Sequence, residues 1–292
     1  MSEASTRQPT WSPPDTRGVR VPERTLHLLR DLVQAHTGMC YDDHRLEYLK
    51  DRLLPLAVER GFDSLLDYYY LLKYDSNADQ EWAHAIDALS VQETYFWREF
   101  DQFRALADVI VPRLVALGRT RVRICSVPCS SGEEPLSIAM ALVEAGWFSR
   151  LGIEIDAADA SEAALQRARA GRYGERAFRQ LAHDVRERFF DRVEGAQEWA
   201  VKPALHARVS SWSRMNVVRS DELAAVKGAD VVFCRNLFIY FDQPTIRRVV
   251  AELGGLMASP GFLCVGAAES LLRLNTAFEL RELGGAYVYV KS

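Results

Sequence analysis

The chain lacks any Cys-x-x-Cys pair, and its five cysteines (Cys40, Cys125, Cys129, Cys234 and Cys264) are odd in number. That spacing argues against a disulfide framework and a thiolate zinc site. Cys125, Cys234 and Cys264 lie inside apolar runs, as packed, reduced thiols do. The six histidines (His27, His36, His44, His84, His183 and His206) are scattered without ligand spacing, so no metal is expected. No apolar stretch reaches membrane length. The longest weakly charged one, Leu253 to Ala268, is interrupted by Gly254, Gly255 and Pro260-Gly261, and the polar N-terminus has no signal region. Basic charge is not in excess: 36 Lys and Arg against 40 Asp and Glu leave a net charge of −4, which removes a global electrostatic case for nucleic acid. These absences suit a reducing cytoplasm without direct membrane insertion. The 292 residues, 48% of them apolar, suffice for one large domain or two.

What is present is organised around Val122 to Leu142. Val122 to Val127 reads as a short buried strand, and Pro135 onward as a helix ending near Gly146. In the loop between them, Ser130 and Ser131 each precede a glutamate by three residues, the capping-box spacing, and Pro135 suits a first helical position. A strand passing through a tight loop into a helix N-terminus is where open α/β sheets bind nucleotides. This loop has no G-x-G-x-x-G, and Glu133 and Glu134 oppose a pyrophosphate, so a dinucleotide-dependent oxidoreductase is disfavoured. An adenosine ligand with a positive charge and no phosphate fits, and S-adenosylmethionine is such a ligand. A serine or cysteine nucleophile at Cys129 to Ser131 has no convincing histidine partner.

The flanking sequence completes the expectation. Residues 1–20, rich in Ser, Thr, Pro and Arg, read as a disordered tail. Residues 21–90 read as a helical bundle, with stripes at Leu26, Leu29, Leu32, Val33 and at Leu46, Leu49, Leu53, Leu56. Pro55 should kink the second helix or start a new one, Gly61 ends it, and Ser64 to Lys73 is a further helix. Arg45, Tyr48 and Arg52 share a face, with Lys50 and Arg60 nearby. This is either a solvated face or a dock for an acidic helical partner. Tyr95, Phe96, Trp97, Phe100 and Phe103 should pack between the bundle and the α/β part, and Arg98 among them has Glu99 and Asp101 as simple salt-bridge partners. A second strand, Ile153 to Ala158, ends in Asp159, placed to hold ribose hydroxyls, with Ser161 to Ala170 as the following helix and Gly171 closing it. Residues 172–210 break the rhythm and read as an insertion, helical over Glu175 to Phe190, with short strands at Trp199 to Val201 and Leu205 to Val209. Strands at Ala207 to Trp212, Ala229 to Phe233 and Phe262 to Val265, a helix Gln243 to Met257, and a hairpin from Phe278 through Gly284-Gly285 to Tyr287–Val290 follow. Arg235, Asn236 and Tyr240 are the polar groups at the end of the Ala229 strand. The whole implies an α/β, doubly wound, mostly parallel sheet with an antiparallel edge, preceded by an all-α domain.

Thr94-Tyr-Phe-Trp-Arg98, Cys129-Ser-Ser-Gly-Glu-Glu-Pro135, Ala158-Asp159, Ala168-Arg-Ala-Gly-Arg-Tyr173 and Phe233-Cys-Arg-Asn-Leu-Phe-Ile-Tyr-Phe241, in that order, resemble the CheR-type chemoreceptor glutamate methyltransferases from about residue 22 onward. The resemblance implies a class I (Rossmann-like) methyltransferase domain over residues 91–292, with a small β-subdomain inserted at about 172–210, behind a helical domain over 21–90. It implies S-adenosylmethionine as cofactor and S-adenosylhomocysteine as product, without a metal. The cofactor-binding positions it carries over are Gln92, Thr94, Arg98, Glu134, Asp159, Asn216, Val217, Arg235 and Asn236. Arg98 and Tyr240 are the expected catalytic residues, and Arg45, Lys50 and Arg52 the expected receptor contacts. Gln92 stands where asparagine is frequent, Leu136 where tyrosine is, and Ala267 where histidine is. The implied reaction is methyl transfer to glutamates on the cytoplasmic helices of chemoreceptors by a monomer, tuning a histidine-kinase pathway. The short stretch between Phe190 and Val201 argues against tethering by a receptor C-terminal peptide. A cofactor-binding scaffold without turnover is the competing reading, opposed by the intact Arg98, Glu134, Asp159, Asn236 and Tyr240 set.

Overall fold

A computed structural model describes residues 18–274 and 276–292, so most of the expected tail lies outside the described residues. Of its last three residues, Arg20 forms an isolated bridge to Ser64. The chain forms two compact units, one of residues up to Gln34 with Tyr41–Leu89, the other of Ala35–Cys40 with Ser90–Ser292.

The first unit is helical: α1 (Glu23–Thr37, its last turn belonging to the second unit), α2 (Leu46–Glu59), α3 (Leu65–Tyr74) and α4 (Ala78–Leu89). Apolar residues spaced three and four apart bury one face of each helix, Leu26, Leu29 and Val33 on α1 and Leu46, Leu49, Leu53 and Ala57 on α2. The Ser64 hydroxyl caps α3 by accepting from the Leu66 amide at 3.2 Å. Helix α2 continues through Pro55, so no new helix starts there. Proline removes one bond, to the carbonyl four residues back at Asp51, and Asp51 is exposed, so water can satisfy that carbonyl. Arg60 is tied to the bundle by an ion pair. Its Nε meets the buried Glu81 carboxylate at 2.6 Å, which in turn accepts from the Tyr68 hydroxyl at 2.8 Å.

In the second unit, helices α5 (Phe100–Ala105) and α6 (Val111–Ala116) are joined by a π turn at Leu106–Ile110. There follow β1 (Arg121–Ser126), α7 (Glu133–Glu144), β2 (Gly152–Asp159) and α8 (Glu162–Ala170). The insertion comes next: β3 (Arg172–Gly174), α9 (His183–Phe189), β4 (Phe190–Arg192), β5 (Glu198–Val201) and α10 (Pro203–His206). The main sheet resumes with β6 (Ser211–Arg214), α11 (Ser220–Leu223), β7 (Val231–Phe233), α12 (Gln243–Leu256), β8 (Gly261–Cys264), β9 (Phe278–Leu283) and β10 (Ala286–Lys291).

The seven-stranded sheet has the order β6-β2-β1-β7-β8-β10-β9. Strand β10 is reversed, pairing antiparallel with both β8 and β9, and the other described pairings in this sheet are parallel. Side chains alternate across it: Val122 and Ile124 face the core built with α5, α6 and α7, whereas Cys125 and Val127 face the core built with α12. The insertion is a separate antiparallel sheet, β3-β5-β4. Its fastening is aromatic. Phe96 is fully buried with its ring 4.8 Å from Tyr173 and from Phe190 and 5.1 Å from Phe178.

Several local expectations are corrected. Phe96 and Phe103 pack inside this unit's own core, Phe103 against Phe233. The helical signal from Glu175 to Phe190 resolves into a single 3-10 turn (Glu175–Phe178) followed by α9. Leu205 lies in α10, where Pro203 supplies the preset φ of a first helical turn, and the edge strand β6 begins only at Ser211.

Candidate active site

Parallel strands β2, β1 and β7 end side by side, with Ser126 level with Ala157 on one flank and Phe233 on the other. From β1 the chain passes to β2 and β6 on one side and to β7 and β8 on the other, so a crevice opens at the tips of β1 and β7. Among the described residues, four non-glycine residues take left-handed φ: Trp97 (61°), Glu99 (57°), Ser130 (48°) and Asn236 (58°). All four lie in the segment before α5 and in the loops after β1 and β7. For Trp97 in particular this is a costly conformation, held by the Trp97 amide donating to the Ser137 hydroxyl at 3.1 Å.

The centre of the crevice is an ion cluster. Arg235, its side chain 1% exposed, donates Nη1 to Glu134 at 3.0 Å and Nη2 to the Arg98 carbonyl at 2.7 Å, and Nη2 also meets Glu99 at 3.2 Å. The other Glu134 oxygen accepts from the Ser126 hydroxyl at 2.7 Å. Burial pushes the Glu134 carboxyl above its ordinary range, and Arg235 and Ser126 pull it back. Such a pair costs 3–5 kcal/mol to break, roughly, because one charge is left buried alone.

The capping-box expectation fails. Helix α7 starts at Glu133 with Gly132 as its N-cap, in the left-handed region at φ 97° and without a side-chain cap bond. Glu134 is drawn away to Arg235, and Glu133 is buried with the Ser131 hydroxyl donating to it at 2.8 Å. The mouth is therefore less openly acidic than the sequence implied. Gly132 is required by space as well as by φ: a Cβ there would meet Ala168 and the Tyr173 hydroxyl at 3.0 Å and Trp212 at 3.1 Å.

Asp159, buried at the tip of β2, accepts from the Ser130 amide at 2.8 Å and the Ser161 amide at 2.9 Å. Ser161 itself caps α8, accepting from the Ala164 amide at 3.1 Å, and its hydroxyl also accepts from Gln92 Nε2 at 3.2 Å. Thr94 is half-buried in the same segment. Asn216 is buried, its Nδ2 donating to the His36 carbonyl at 2.8 Å and its Oδ1 accepting from the Val218 amide at 3.3 Å, with Val217 buried beside it. Asn236 lies one residue beyond Arg235. Tyr240 is half-buried in a 3-10 turn against the apolar cluster of α12, its carbonyl accepting from the Cys40 amide at 2.8 Å. Arg98 pairs with neither Glu99 nor Asp101. It donates to the Glu93 carbonyl at 3.0 Å and lies over the Tyr95 ring, while Glu99 serves Arg235 and Asp101 serves Arg104.

The loops thus gather Gln92, Arg98, Glu134, Asp159, Arg235 and Asn236 at the carboxyl ends of the central strands. The sequence reading missed Glu99 and Glu269, whose carboxylates hold the loop after β8, Glu99 on the Ala267 amide and Glu269 on the Gly266 amide. Glu99 lies 168 residues from Ala267, and apart from Gly266 the partners of Glu269 are backbone amides about 30 residues away, so no local spacing signals them.

On the first unit, Arg45 lies over the Tyr41 and Tyr48 rings at 5.3 and 5.9 Å, and exposed Arg52 lies over Tyr48 at 5.0 Å. Lys50 is taken up by an ion pair with Glu47. Among the described residues no three His, Cys, Asp or Glu side chains form a metal-holding group, and no helix is long and apolar enough to cross a membrane.

Strand order, the crevice at the switch point and an acidic residue at the tip of β2 define a Rossmann-like methyltransferase domain of class I. Residues 92–285 match the family described as CheR methyltransferase, SAM binding domain, and residues 24–90 match CheR methyltransferase, all-alpha domain. The chain belongs to the CheR methyltransferase family. It is similar to chemotaxis protein methyltransferase 1 of Pseudomonas aeruginosa, at 31% identity over 90% of this chain and 96% of that protein. It is likewise similar to chemotaxis protein methyltransferase 2 of Vibrio cholerae, at 30% identity over 90% and 91%. A probable biofilm formation methyltransferase, WspC of Pseudomonas putida, is 37% identical over 80% of this chain, which spans about half (54%) of that longer protein.

Proposed function

We propose that this methyltransferase moves the methyl group of S-adenosylmethionine onto glutamate side chains in the cytoplasmic helices of methyl-accepting chemoreceptors, tuning a chemotaxis-like signalling pathway. The observation that carries the reading is the buried Arg235–Glu134–Glu99 cluster beside Asp159 at the switch point. The residues present fit the cofactor. The Ser130 hydroxyl is a buried polar atom without a protein partner, next to Asp159, and suits a ligand rich in hydroxyls. Asp159, a buried carboxylate at the tip of β2, is the group that would hold the ribose hydroxyls.

Bound S-adenosylmethionine supplies an electrophilic methyl carbon. A substrate glutamate is ionised at neutral pH and attacks without a strong base, so the protein's task is alignment and exclusion of water. Arg98 orients the carboxylate or the cofactor with directed donors, as alignment more than neutralisation, since too tight a grip would weaken the nucleophile. Tyr240 donates a hydrogen bond at the transfer site. Glu134 and Arg235, locked on each other, give the cofactor a wall that does not reorganise. Gln92, Thr94, Asn236 and the backbone around Asn216 and Val217 line the remainder. The Asn216 side chain acts mainly as the clamp on residues 35–40.

The test is labelled-methyl transfer from S-adenosylmethionine to a panel of receptor cytoplasmic fragments, with calorimetric titration of the cofactor alongside. Base-labile label on receptor glutamates in the wild type, lost in Arg98→Ala while the cofactor still binds, is the expected result. Binding without transfer to any receptor would favour the scaffold reading.

A further inference from the structure

Glu269 lies in the loop after β8, is 8% exposed, and has no part in the chemistry above. Its carboxylate accepts four backbone amides: Oε2 from Asn236 at 2.8 Å and Gly266 at 2.6 Å, Oε1 from Phe238 at 2.6 Å and Ile239 at 3.3 Å. Three of these donors belong to the loop after β7, the segment that carries Asn236 and Tyr240. One carboxylate thus spends its acceptor capacity on the shape of these loops. The fit is close, since a Cβ on Gly266 would come within 2.5 Å of Asn236 Nδ2 and 2.9 Å of Glu269 Oε2. It also holds Asn236 in its left-handed conformation at φ 58°. The far end of the loop is pinned separately, by the Cys40 amide on the Tyr240 carbonyl at 2.8 Å and a bridge between Met39 and Phe241.

We propose that Glu269 is a positioning residue for methyl transfer: through four amide bonds it sets where Asn236 and Tyr240 stand in the active-site crevice. This rests on the reading of that crevice as the methyl-transfer site. Glutamine is nearly isosteric but offers one oxygen and one NH2 group. Glu269→Gln therefore turns its NH2 toward two N–H donors and loses half of the clamp while keeping the volume.

The experiment compares wild type, Glu269→Gln and Gly266→Ala, the last pressing on the same contact from the other side. Steady-state methyl transfer to a receptor fragment, calorimetric cofactor binding, and hydrogen exchange at the 236, 238 and 239 amides are measured for each. Both variants should exchange faster at those amides and lose about 10- to 100-fold in kcat, the cost of an ångström-scale misplacement, with a smaller loss of cofactor affinity that passes through Asn236. If Glu269→Gln does not fold, Gly266→Ala alone decides. Unchanged kcat would overturn the proposal, and so would a kcat loss matched by an equal loss of cofactor affinity, which marks a prop for the fold. A wild-type chain that methylates no receptor fragment would instead sink the functional reading, and with it any reaction for Glu269 to serve.

Discussion

At the scale of single residues, the two carboxylates that open α7 have different fates, and each leads to a measurement. Burial raises the Glu133 carboxyl above its ordinary pKa near 4.5, with the Ser131 hydrogen bond and Arg167 opposing the shift. A carboxyl whose folded pKa is raised binds its proton more tightly folded than unfolded. Its stabilising share is complete below the ordinary value and is lost as pH climbs through the raised one. Glu133→Gln does not titrate, so its thermal midpoint should gain on wild type as pH goes from about 4 to about 7. A gap independent of pH would refute a burial-raised Glu133. Asp159, by contrast, accepts from two backbone amides. Asp159→Ala should weaken S-adenosylmethionine binding by about 1.5–3 kcal/mol, the worth of charge-assisted hydrogen bonds to ribose, and an unchanged dissociation constant would remove the ribose contact. That Asp159 ends a strand was legible from the Ile153 to Ala158 run before it. That Glu134 abandons its helix cap for Arg235 was not, because the two are 101 residues apart in the chain.

At the scale of elements, the loop from β1 into α7 depends on one backbone conformation. Gly132 has φ 97° and neighbours on three sides at 3.0–3.1 Å, so an added methyl meets both a forbidden dihedral and occupied space. Gly132→Ala should lower stability by about 1–3 kcal/mol and weaken cofactor binding further, because the Ser130 amide that Asp159 holds lies two residues away. Thermal unfolding and calorimetric titration would read the two losses, and a variant matching wild type in both would show that the loop has a second conformation open to it. The element pattern itself was visible in advance. Hydrophobic period, helix starts at Ser64 and Ser161, Gly171 closing α8 and the Gly284-Gly285 turn all speak through neighbours in sequence. The local reading went astray at Leu205, taken for a strand but held in α10 behind Pro203, and at residues 175–190, whose helical signal divides between two elements.

At the scale of the whole molecule, the helical unit carries the expected receptor-facing charges. Arg45 and Arg52, stacked around Tyr48, remain as the cationic pair once Lys50 is paired to Glu47 and Arg60 to Glu81. Reversing both to glutamate should impair receptor methylation and leave cofactor affinity unchanged, which parallel transfer and calorimetric assays would separate. Loss of both would point to damaged folding. Sensitivity of the wild-type rate to salt, absent in the double variant, would mark the contact as electrostatic.

The order of elements, the parallel sheet with its antiparallel edge and the glutamate-bearing loop were determined by the sequence alone, because periodicity, caps and turns act over a few residues. Tertiary structure alone decided how the charges are spent. Arg235 neutralises two carboxylates from distant segments, and Glu269 gathers four amides from two loops. The reason is physical: a buried charge is tolerable only where its partners converge, and that convergence exists only once the strands lie side by side.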